Sequence, residues 1–318
     1  MGLLTRRLRG ADLPSYDARV SERVHVGTSG YSFPDWVGIV YPPGGRSRDF
    51  LRQYARWFDS VEINASYYRI PSPRTIEAIR RKVPPDFRFT VKLPKEMTHQ
   101  RDRARAALEP FLEGIAPLRE TGQLGGVLAQ FPFSFKHTAE NMRYLERAAN
   151  PFAKAGIPIN VEFRHRSWYE EEVFARLRDL RIGFVNVDLP QLPNLPPPSN
   201  IVTSDVAYYR LHGRNAATWW KHPTPSDRYD YLYDDAELDA WAKRIEEVAG
   251  SARTAFVFNN NCHLGQSVVN ALQLHQRLGL PRPSTPPGSP APLLPLSTEE
   301  LVGAMRSRIV AARRTLSV

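Results

Sequence analysis

Eight short runs of β-forming residues recur along the 318-residue chain, and each of them closes on polar or charged side chains. Stretches with apolar residues at helical spacing separate the runs, so strands and helices are expected to alternate. Strands rich in Val, Ile and Phe are typical of a parallel sheet that helices cover. The eight runs are residues 25–29 (HVGTS), 61–64 (VEIN), 89–92 (FTVK), 127–130 (VLAQ), 160–164 (NVEFR), 185–188 (VNVD), 209–212 (YRLH) and 257–260 (VFNN).

This alternation predicts an α/β fold, a (β/α)8 TIM-like barrel in a single domain with an extra C-terminal helix. The barrel is expected over residues 24–280, which is about the typical length of one such barrel. Residues 1–23 are expected to be a flexible leader and not a signal or transit peptide. Residues 281–297 read as a Pro-rich linker, and residues 298–318 as an amphipathic helix.

Composition narrows the class of protein. Cys262 is the single cysteine, so no intrachain disulfide can form, and a reducing cytoplasm is the expected location. No apolar run approaches the length of a membrane span, so no membrane partner is expected. The net charge of +10 favours partners that bear phosphate, and a solvated basic surface is the alternative interpretation.

The strand ends are where a barrel of this kind carries its functional groups. Residues two apart in a strand share a face, and three strand ends carry polar pairs at that spacing. These pairs are Glu62 with Asn64, Glu162 with Arg164, and Arg210 with His212. The cationic side chains at the strand ends would together surround the barrel mouth, and such cations suit a phosphate, a carboxylate or a developing oxyanion. The alternative is a set of structural ion pairs that closes the barrel mouth.

The predicted roles follow from this pattern. The residues expected to transfer protons as catalytic groups are Glu62, Glu162, Asp188 and His212, and an adjacent carboxylate is expected to raise the pKa of His212. The residues expected to bind substrate are Thr28, Asn64, Lys92, Gln130, Arg164, Arg210, Arg214, Asn259 and Asn260.

Two irregular segments follow predicted strands on the same face. Residues 189–200 are Pro-rich and follow the sixth strand, and residues 213–233 are rich in Trp and Tyr and follow the seventh. The rings of the second segment are expected either to form a lid that stacks on a base or sugar face, or to cover apolar surface at the rim.

Several longer strings resemble blocks of the DUF72 family, also called YecE-like. The strings are residues 27–36 (GTSGYSFPDW), 61–69 (VEINASYYR), 89–94 (FTVKLP), 130–132 (QFP), 161–168 (VEFRHRSW), 188–190 (DLP), 210–214 (RLHGR) and 258–260 (FNN). The resemblance spans about residues 24–278 and implies a TIM-barrel-like fold. It implies no particular reaction.

The family's barrel is similar to that of apurinic endonucleases of the endonuclease IV type, which implies a DNA-related role. It is also similar to sugar epimerases of the xylose-isomerase-like group, which place acidic residues and a His around one divalent metal. Glu162, Asp188 and His212 fall at corresponding strand ends. The missing fourth carboxylate and the nearby arginines argue against a tight metal site.

The leading hypothesis is a cytoplasmic enzyme that acts on an anionic, phosphate-bearing substrate, with nucleotides and nucleic acids among the candidates and hydrolysis of phosphate esters as the reaction class. Two alternatives stay open. One is a metal-dependent sugar isomerase, epimerase or lyase that uses Glu162, Asp188 and His212. The other is a non-catalytic nucleic-acid-binding protein. The sequence requires no cofactor, and it indicates no oligomeric state.

Overall fold

The computed structural model describes residues 24–281, 283–287 and 297–316. Eight strands alternate with helices, and the predicted (β/α)8 barrel is confirmed. The strands are β1 (Val24–Thr28), β2 (Ser60–Ile63), β3 (Arg88–Lys92), β4 (Leu124–Gln130), β5 (Ile159–Glu162), β6 (Gly183–Asp188), β7 (Val206–Leu211) and β8 (Thr254–Asn259).

All neighbouring strands pair in parallel, in the order β1-β8-β7-β6-β5-β4-β3-β2. The seam between β1 and β2 is narrow. It consists of a parallel bridge between Ser29 and Glu62 and a hydrogen bond of 2.9 Å from the backbone N–H of Gly30 to the carbonyl of Glu62. The barrel therefore closes at the carboxyl ends of these two strands, next to the expected functional groups.

Helices cover the outside of the barrel. They are α1 (Ser47–Tyr54), α2 (Pro73–Arg80), α3 (Ala104–Glu120), α4 (Ala139–Lys154), α5 (Glu171–Asp179), α6 (Asp235–Ala249) and α7 (Gln266–Arg277). Side-chain caps stabilise the N-termini of several helices. Ser72 caps α2, and Asp234 forms a capping box with Glu237 at the beginning of α6. Helix α3 begins only at Ala104, because Arg101 takes a left-handed backbone conformation with φ of 62° after a π-helical turn.

The connection between β6 and β7 has no helix in the described chain. Residues 189–205 cross the barrel as irregular backbone, and their five prolines lack the N–H groups that a helix needs. Asn186 secures this segment, because its Oδ1 accepts hydrogen bonds of 2.8 Å from both Ser199 Oγ and the backbone N–H of Ile201. Seven helices and one proline-rich crossover thus surround the eight strands.

Mainly apolar side chains fill the barrel interior below the carboxyl ends of the strands. Leu128, Val185, Tyr208, Phe256 and Phe258 belong to one buried cluster there. Gly125 makes room for this filling, because a Cβ at that position would lie 2.4 Å from the ring of Phe256. The interior is a packed core, so the space for a ligand lies above it, at the carboxyl ends of the strands.

The last described element is α8 (Thr298–Leu316), the predicted C-terminal helix. It packs against α7 and buries Met305 and Ile309, while Arg308 donates a hydrogen bond of 2.9 Å to the carbonyl of Ile39. The predicted leader, residues 1–23, and most of the predicted linker lie outside the described residues. Across the described residues, no helix combines the length and the apolar character that a bilayer crossing requires.

Candidate functional site

A cavity of about 600 Å³ opens above the apolar filling, and we call it the mouth pocket. Strand ends supply its polar wall, and the loops after β1, β2, β7 and β8 supply the rest. Its lining residues are Ser29, Phe33, Pro34, Asp35, Asn64, Tyr67, Tyr68, Lys92, Gln130, Arg164, Arg210, Pro225, Ser226, Tyr229, Asn260, Cys262, His263 and Leu264. Six of the nine residues expected to bind substrate line this pocket. They are Asn64, Lys92, Gln130, Arg164, Arg210 and Asn260.

Arg210 is the hub of the pocket floor. Its Nη1 donates to Glu162 Oε2 at 2.5 Å, and its Nη2 donates to Glu62 Oε1 at 2.7 Å and to Ser29 Oγ at 3.2 Å. Arg210 is 1% exposed, and both glutamates are fully buried. Two buried charge pairs of this kind are tolerated only when hydrogen bonds satisfy the charged groups, so this chain of ion pairs holds β2, β5 and β7 in fixed positions.

Glu62 is held from a second side. Its Oε2 accepts a hydrogen bond of 2.6 Å from the hydroxyl of Tyr208, and that hydroxyl lies 2.9 Å from Thr90 Oγ1. Burial, together with the charge of Glu62, raises the pKa of Tyr208 well above its usual range, so the phenol keeps its proton and remains a donor. Glu62 therefore has both oxygens occupied and points none of them at the pocket.

Glu162 lies between the guanidinium groups of Arg164 and Arg210. Its Oε1 pairs with Nε of Arg164 and lies 3.3 Å from Nε2 of His212. Burial alone would raise the pKa of Glu162, but the guanidinium groups of Arg164 and Arg210 outweigh it and hold the pKa well below its usual range. Glu162 is thus an ionised carboxylate that anchors two arginines.

His212 lies behind the pocket and is fully buried. Its Nδ1 is 2.7 Å from Nδ2 of Asn260, and with the amide as donor the ring proton sits on Nε2, facing Glu162. Burial, and then the nearby charge of Arg164, lowers the pKa of His212 to about 3. The expected rise in pKa from an adjacent carboxylate is therefore outweighed, and the ring is neutral.

Lys92 reaches the pocket from the end of β3. Its Nζ donates a hydrogen bond of 2.8 Å to Gln130 Oε1 and lies 4.5 Å from the centre of the Tyr67 ring. Burial, and then the charge of Arg210, lowers the pKa of Lys92 to about 7. This amine can therefore be either charged or neutral under physiological conditions.

Arg164 also reaches the pocket, and its side chain is 11% exposed. Its Nε faces Glu162, and its guanidinium carbon lies 6.0 Å from the centre of the Trp219 ring. Within the described part of the chain, its two terminal nitrogens have no acceptor. A planar guanidinium with free terminal N–H groups can bind two oxygens of one phosphate or carboxylate.

Asp188 and Arg214 lie together on the outside of the strand ends. Arg214 Nε donates to the two carboxylate oxygens of Asp188 at 2.9 and 3.1 Å, and its Nη1 donates to Glu237 at 2.7 Å. The indole N–H of Trp241 also donates to Asp188 at 3.1 Å. Burial raises the pKa of Asp188, against the attraction of Arg214. This pair joins β6 to α6 and does not line the mouth pocket.

Thr28 and Asn259 also face away from the pocket. The hydroxyl of Thr28 donates to the carbonyl of Gly30 at 2.6 Å and lies 3.1 Å from the hydroxyl of Tyr54 on α1. Asn259 donates to the carbonyl of Gly27 at 3.5 Å. Both side chains secure backbone at the barrel seam.

The residues considered for a metal do not converge. Glu162 and His212 adjoin each other inside the barrel, but Asp188 points to the outer layer, and two guanidinium groups occupy the oxygens of Glu162. No group of three His, Cys, Asp or Glu side chains with metal-binding geometry occurs among residues 24–281, 283–287 and 297–316. The donor set therefore does not fit the divalent metal of the sugar-isomerase alternative.

A family model, described as a protein of unknown function, DUF72, matches residues 25–293. The chain belongs to the DUF72 family. UPF0759 protein YunF of Bacillus subtilis is 29% identical over 273 residues, or 81% of this chain and 95% of that protein. UPF0759 protein YecE of Escherichia coli K12 is 31% identical over 114 residues, or 35% of this chain and 39% of that protein.

Solved structures of DUF72 proteins share the barrel. The structure from Thermotoga maritima is 42% identical and has a TM-score of 0.74, over 81% of this chain and 99% of that one. A structure from Enterococcus faecalis is 28% identical and has a TM-score of 0.73, over 86% of this chain and 99% of that one. These matches confirm the resemblance to DUF72 that the sequence blocks indicate, and they confirm the TIM-barrel-like fold that it implies.

The pocket of this DUF72 barrel also contains residues that strand patterns do not reveal. Tyr67 comes from the loop after β2, Asp35 from the loop after β1, and Cys262 from the loop after β8. Asp35 accepts a hydrogen bond of 2.6 Å from the backbone N–H of Leu264, which ties two of these loops together. Loop residues reach the mouth through tertiary contacts. The sequence signal for Asp35 and Tyr67 is their position in the blocks at residues 27–36 and 61–69, and Cys262 lies outside the blocks.

Proposed function

We propose that this DUF72 barrel is an enzyme that acts on a small, anionic, phosphate-bearing substrate in the mouth pocket. The observation that carries the proposal is that Lys92 and the free terminal nitrogens of Arg164 line one cavity. A guanidinium fork beside an ammonium group matches the several oxygens of a phosphate. Arg164 is the proposed anchor of the phosphate.

The charge on the pocket floor supports an anionic ligand. Arg164 and Arg210 pair with two buried carboxylates, Glu62 and Glu162. Lys92 is a third cationic side chain there, and its amine donates to the neutral Gln130. When Lys92 is protonated, this floor has one positive charge more than its carboxylates neutralise. A bound oxyanion would balance it next to a buried charge network, where electrostatic attraction is stronger than in bulk water.

The size and the apolar wall of the pocket support a small molecule. About 600 Å³ lies within the usual range for a metabolite-sized ligand. Phe33, Tyr67 and Tyr229 present rings to the cavity, and rings of this kind pack against a sugar face or a nucleobase. A nucleotide or a sugar phosphate has both the anionic group and the flat surface that such a pocket favours.

Proton transfer in this proposal belongs to Lys92. Of the expected acid–base groups, Glu62, Glu162 and His212 lie behind the pocket wall, so their proposed role is to position Arg210 and Arg164. Asp188 holds Arg214 outside the pocket. Lys92 is the titratable amine that lines the cavity with a pKa of about 7, which suits a group that exchanges protons near neutral pH.

Two features of the sequence hypothesis stay part of the proposal. A cytoplasmic location is proposed from the single Cys262. A nucleic acid is the second candidate ligand, supported by Tyr68, which is 76% exposed at the pocket rim, and by Trp220, which is 51% exposed, since exposed rings stack on unpaired bases.

The proposal is tested by a turnover screen of matched pairs, in which each phosphorylated sugar or nucleoside is compared with its unphosphorylated parent. We expect turnover of the phosphorylated member alone, competitive inhibition by inorganic phosphate, and loss of turnover in Arg164→Gln. Arg166→Gln is the matched control, because Arg166 is exposed and the charge change is the same. Equal turnover of an unphosphorylated parent, or no inhibition by phosphate, would contradict the proposal.

A further inference from the structure

Lys92 has an unusual set of neighbours for a lysine at the end of a barrel strand. Its amine donates to a neutral acceptor, Gln130 Oε1, at 2.8 Å and lies 4.5 Å from the ring centre of Tyr67. Among the described residues it forms no ion pair with a carboxylate, because Glu62 and Glu162 are already paired with arginines. The amine is thus held in place without a partner that would fix its positive charge.

Ser29, Cys262 and Lys92 bring a hydroxyl, a thiol and an amine to the mouth pocket, and of these three nucleophiles Lys92 is the activated one. Ser29 Oγ accepts a hydrogen bond from Arg210, and no base adjoins it. Burial raises the pKa of the Cys262 thiol to about 12, so the sulfur stays protonated and unreactive. Burial and the charge of Arg210 lower the pKa of Lys92 to about 7, which leaves a substantial share of neutral, nucleophilic amine.

We propose that Lys92 is a catalytic nucleophile that forms an imine with the carbonyl carbon of a substrate whose phosphate is held by Arg164. This inference rests on the proposed function for its anionic anchor. It also names the substrate class, a phosphorylated aldehyde or ketone, and it moves the chemistry from the phosphate to the carbon skeleton. The phosphate is then the group that is recognised, and the carbonyl is the group that reacts.

The step balances without a cofactor. The lone pair of the neutral Lys92 amine attacks the carbonyl carbon, a C–N bond forms, and the carbonyl π electrons move to oxygen, which takes up the proton that nitrogen loses. The C–O bond of this carbinolamine then breaks with a second proton transfer, a C=N bond forms, and one water leaves. A protonated imine withdraws electrons from the neighbouring carbon, which permits C–H or C–C cleavage there.

The pocket supplies a proton donor beside this amine. Tyr67 lines the same cavity, and burial raises the pKa of its hydroxyl, so the phenol is protonated at neutral pH. It is suited to donate a proton to the departing carbinolamine oxygen. Gln130 Oε1 accepts one N–H of Lys92 and so orients the amine toward the cavity.

The test uses pyridoxal 5′-phosphate, an aldehyde that carries a phosphate, followed by borohydride, which reduces an imine to a stable amine. The chain contains seven lysines, so the other six are internal controls in a peptide mass map. At less than one equivalent of the probe, we expect labelling to concentrate on Lys92, with a rate that is half-maximal near pH 7. Ordinary lysines become reactive only near pH ~10.

Label spread over the other lysines according to their exposure would overturn the inference, and so would a Lys92 rate that rises only near pH ~10. Because the wild-type map needs no variant, the test does not depend on how Lys92→Arg folds. Lys92→Arg is expected to lose the label, and Lys95→Arg, three residues away, to retain it.

Pyridoxal, which lacks the phosphate, separates the two proposals. If pyridoxal labels Lys92 far more slowly than the phosphorylated probe, both proposals are supported. Equal labelling by the two probes would support the imine-forming amine and contradict the phosphate anchor. Tight binding of inorganic phosphate without any adduct on Lys92 would contradict the imine and leave the proposed function standing.

Discussion

Arg210 and Glu162 are joined inside the barrel by a hydrogen bond of 2.5 Å from Nη1 to Oε2. The same guanidinium reaches Glu62 with Nη2 at 2.7 Å, so one arginine from β7 ties together carboxylates from β2 and β5. None of the three groups is more than 1% exposed. Arg210, Glu62 and Glu162 therefore form a fixed charged network at the base of the mouth pocket, and Lys92 and Arg164 are the cationic side chains proposed to meet a ligand.

Removing the side chain of Arg210 should greatly lower the free energy of unfolding. Arg210→Ala leaves two buried carboxylates without their partner, and breaking a buried ion pair from one side typically costs about 3–5 kcal/mol. We expect the urea unfolding midpoint of Arg210→Ala to fall markedly. The control is Arg176→Ala, which breaks the ion pair between Arg176 and Glu146. The side chain of Arg176 is 47% exposed. Exposed pairs contribute little, so equal midpoints for the two variants would contradict a structural role for Arg210.

His212 should remain neutral throughout the range in which an ordinary histidine titrates. Its pKa is lowered to about 3, and with Nδ1 accepting from Asn260 the proton should sit on Nε2. Nitrogen chemical shifts of the imidazole, assigned by comparison with His212→Gln, should report this tautomer with no titration near pH ~6.5. A titration midpoint near that value would contradict the assignment.

The lowered pKa of His212 should also make the stability of the fold depend on pH. Between about pH 3 and about pH 6.5, the unfolded chain protonates this histidine and the folded chain does not. The unfolded state then binds more protons, so the free energy of unfolding should fall as the pH decreases through this window. His212→Gln should remove that part of the acid sensitivity.

The charge of Lys92 should control anion binding. With a pKa of about 7, Lys92 is protonated below neutral pH and loses its charge above it, so affinity for an anion should be highest on the acidic side. Sulfate is the appropriate probe, because its own charge is constant across this range. Calorimetric titrations should show sulfate affinity falling by up to about tenfold per pH unit above the pKa. Lys92→Arg should show a flat profile, and a falling profile in that variant would assign the titration to another group.

Arg214 should matter to the fold and not to the ligand. It joins Asp188 and Glu237 on the outer side of the strand ends and does not line the mouth pocket. Arg214→Gln leaves the buried Asp188 without its cation, so thermal stability should decrease, while the dissociation constant for sulfate should stay within about twofold of wild type. A large loss of sulfate affinity at unchanged stability would place Arg214 in the ligand site after all.

The sequence predicts the barrel and much of the site because it shows two periodic patterns. Apolar residues recur at helical spacing between the strands, and side chains alternate between two faces along the strands. Alternation at the strand ends pairs Glu162 with Arg164 and Arg210 with His212, and each of these pairs does face the interior. The interior partners themselves come from strands distant in the chain. That one arginine of β7 pairs with carboxylates of both β2 and β5 depends on barrel closure, which no local pattern encodes.

Asp188 shows where alternation is ambiguous. In β6 both faces are buried, so the pattern of residues 185–188 does not say which pair points inward. The structure turns Val185 and Val187 into the interior and directs Asn186 and Asp188 to the outer layer. The shifted pKa of His212 is similarly a tertiary property, since it depends on full burial and on the position of Arg164.

Calorimetric titration with inorganic phosphate, at a pH one unit below the pKa of Lys92, would show whether Arg164 anchors an anion in the mouth pocket. Wild type, Arg164→Gln and Arg166→Gln should be compared. Loss of a charge-assisted contact should weaken binding to Arg164→Gln by roughly tenfold or more, with Arg166→Gln close to wild type. Equal phosphate affinity in the two variants, or no saturable binding to wild type, would show that Arg164 is not an anion anchor.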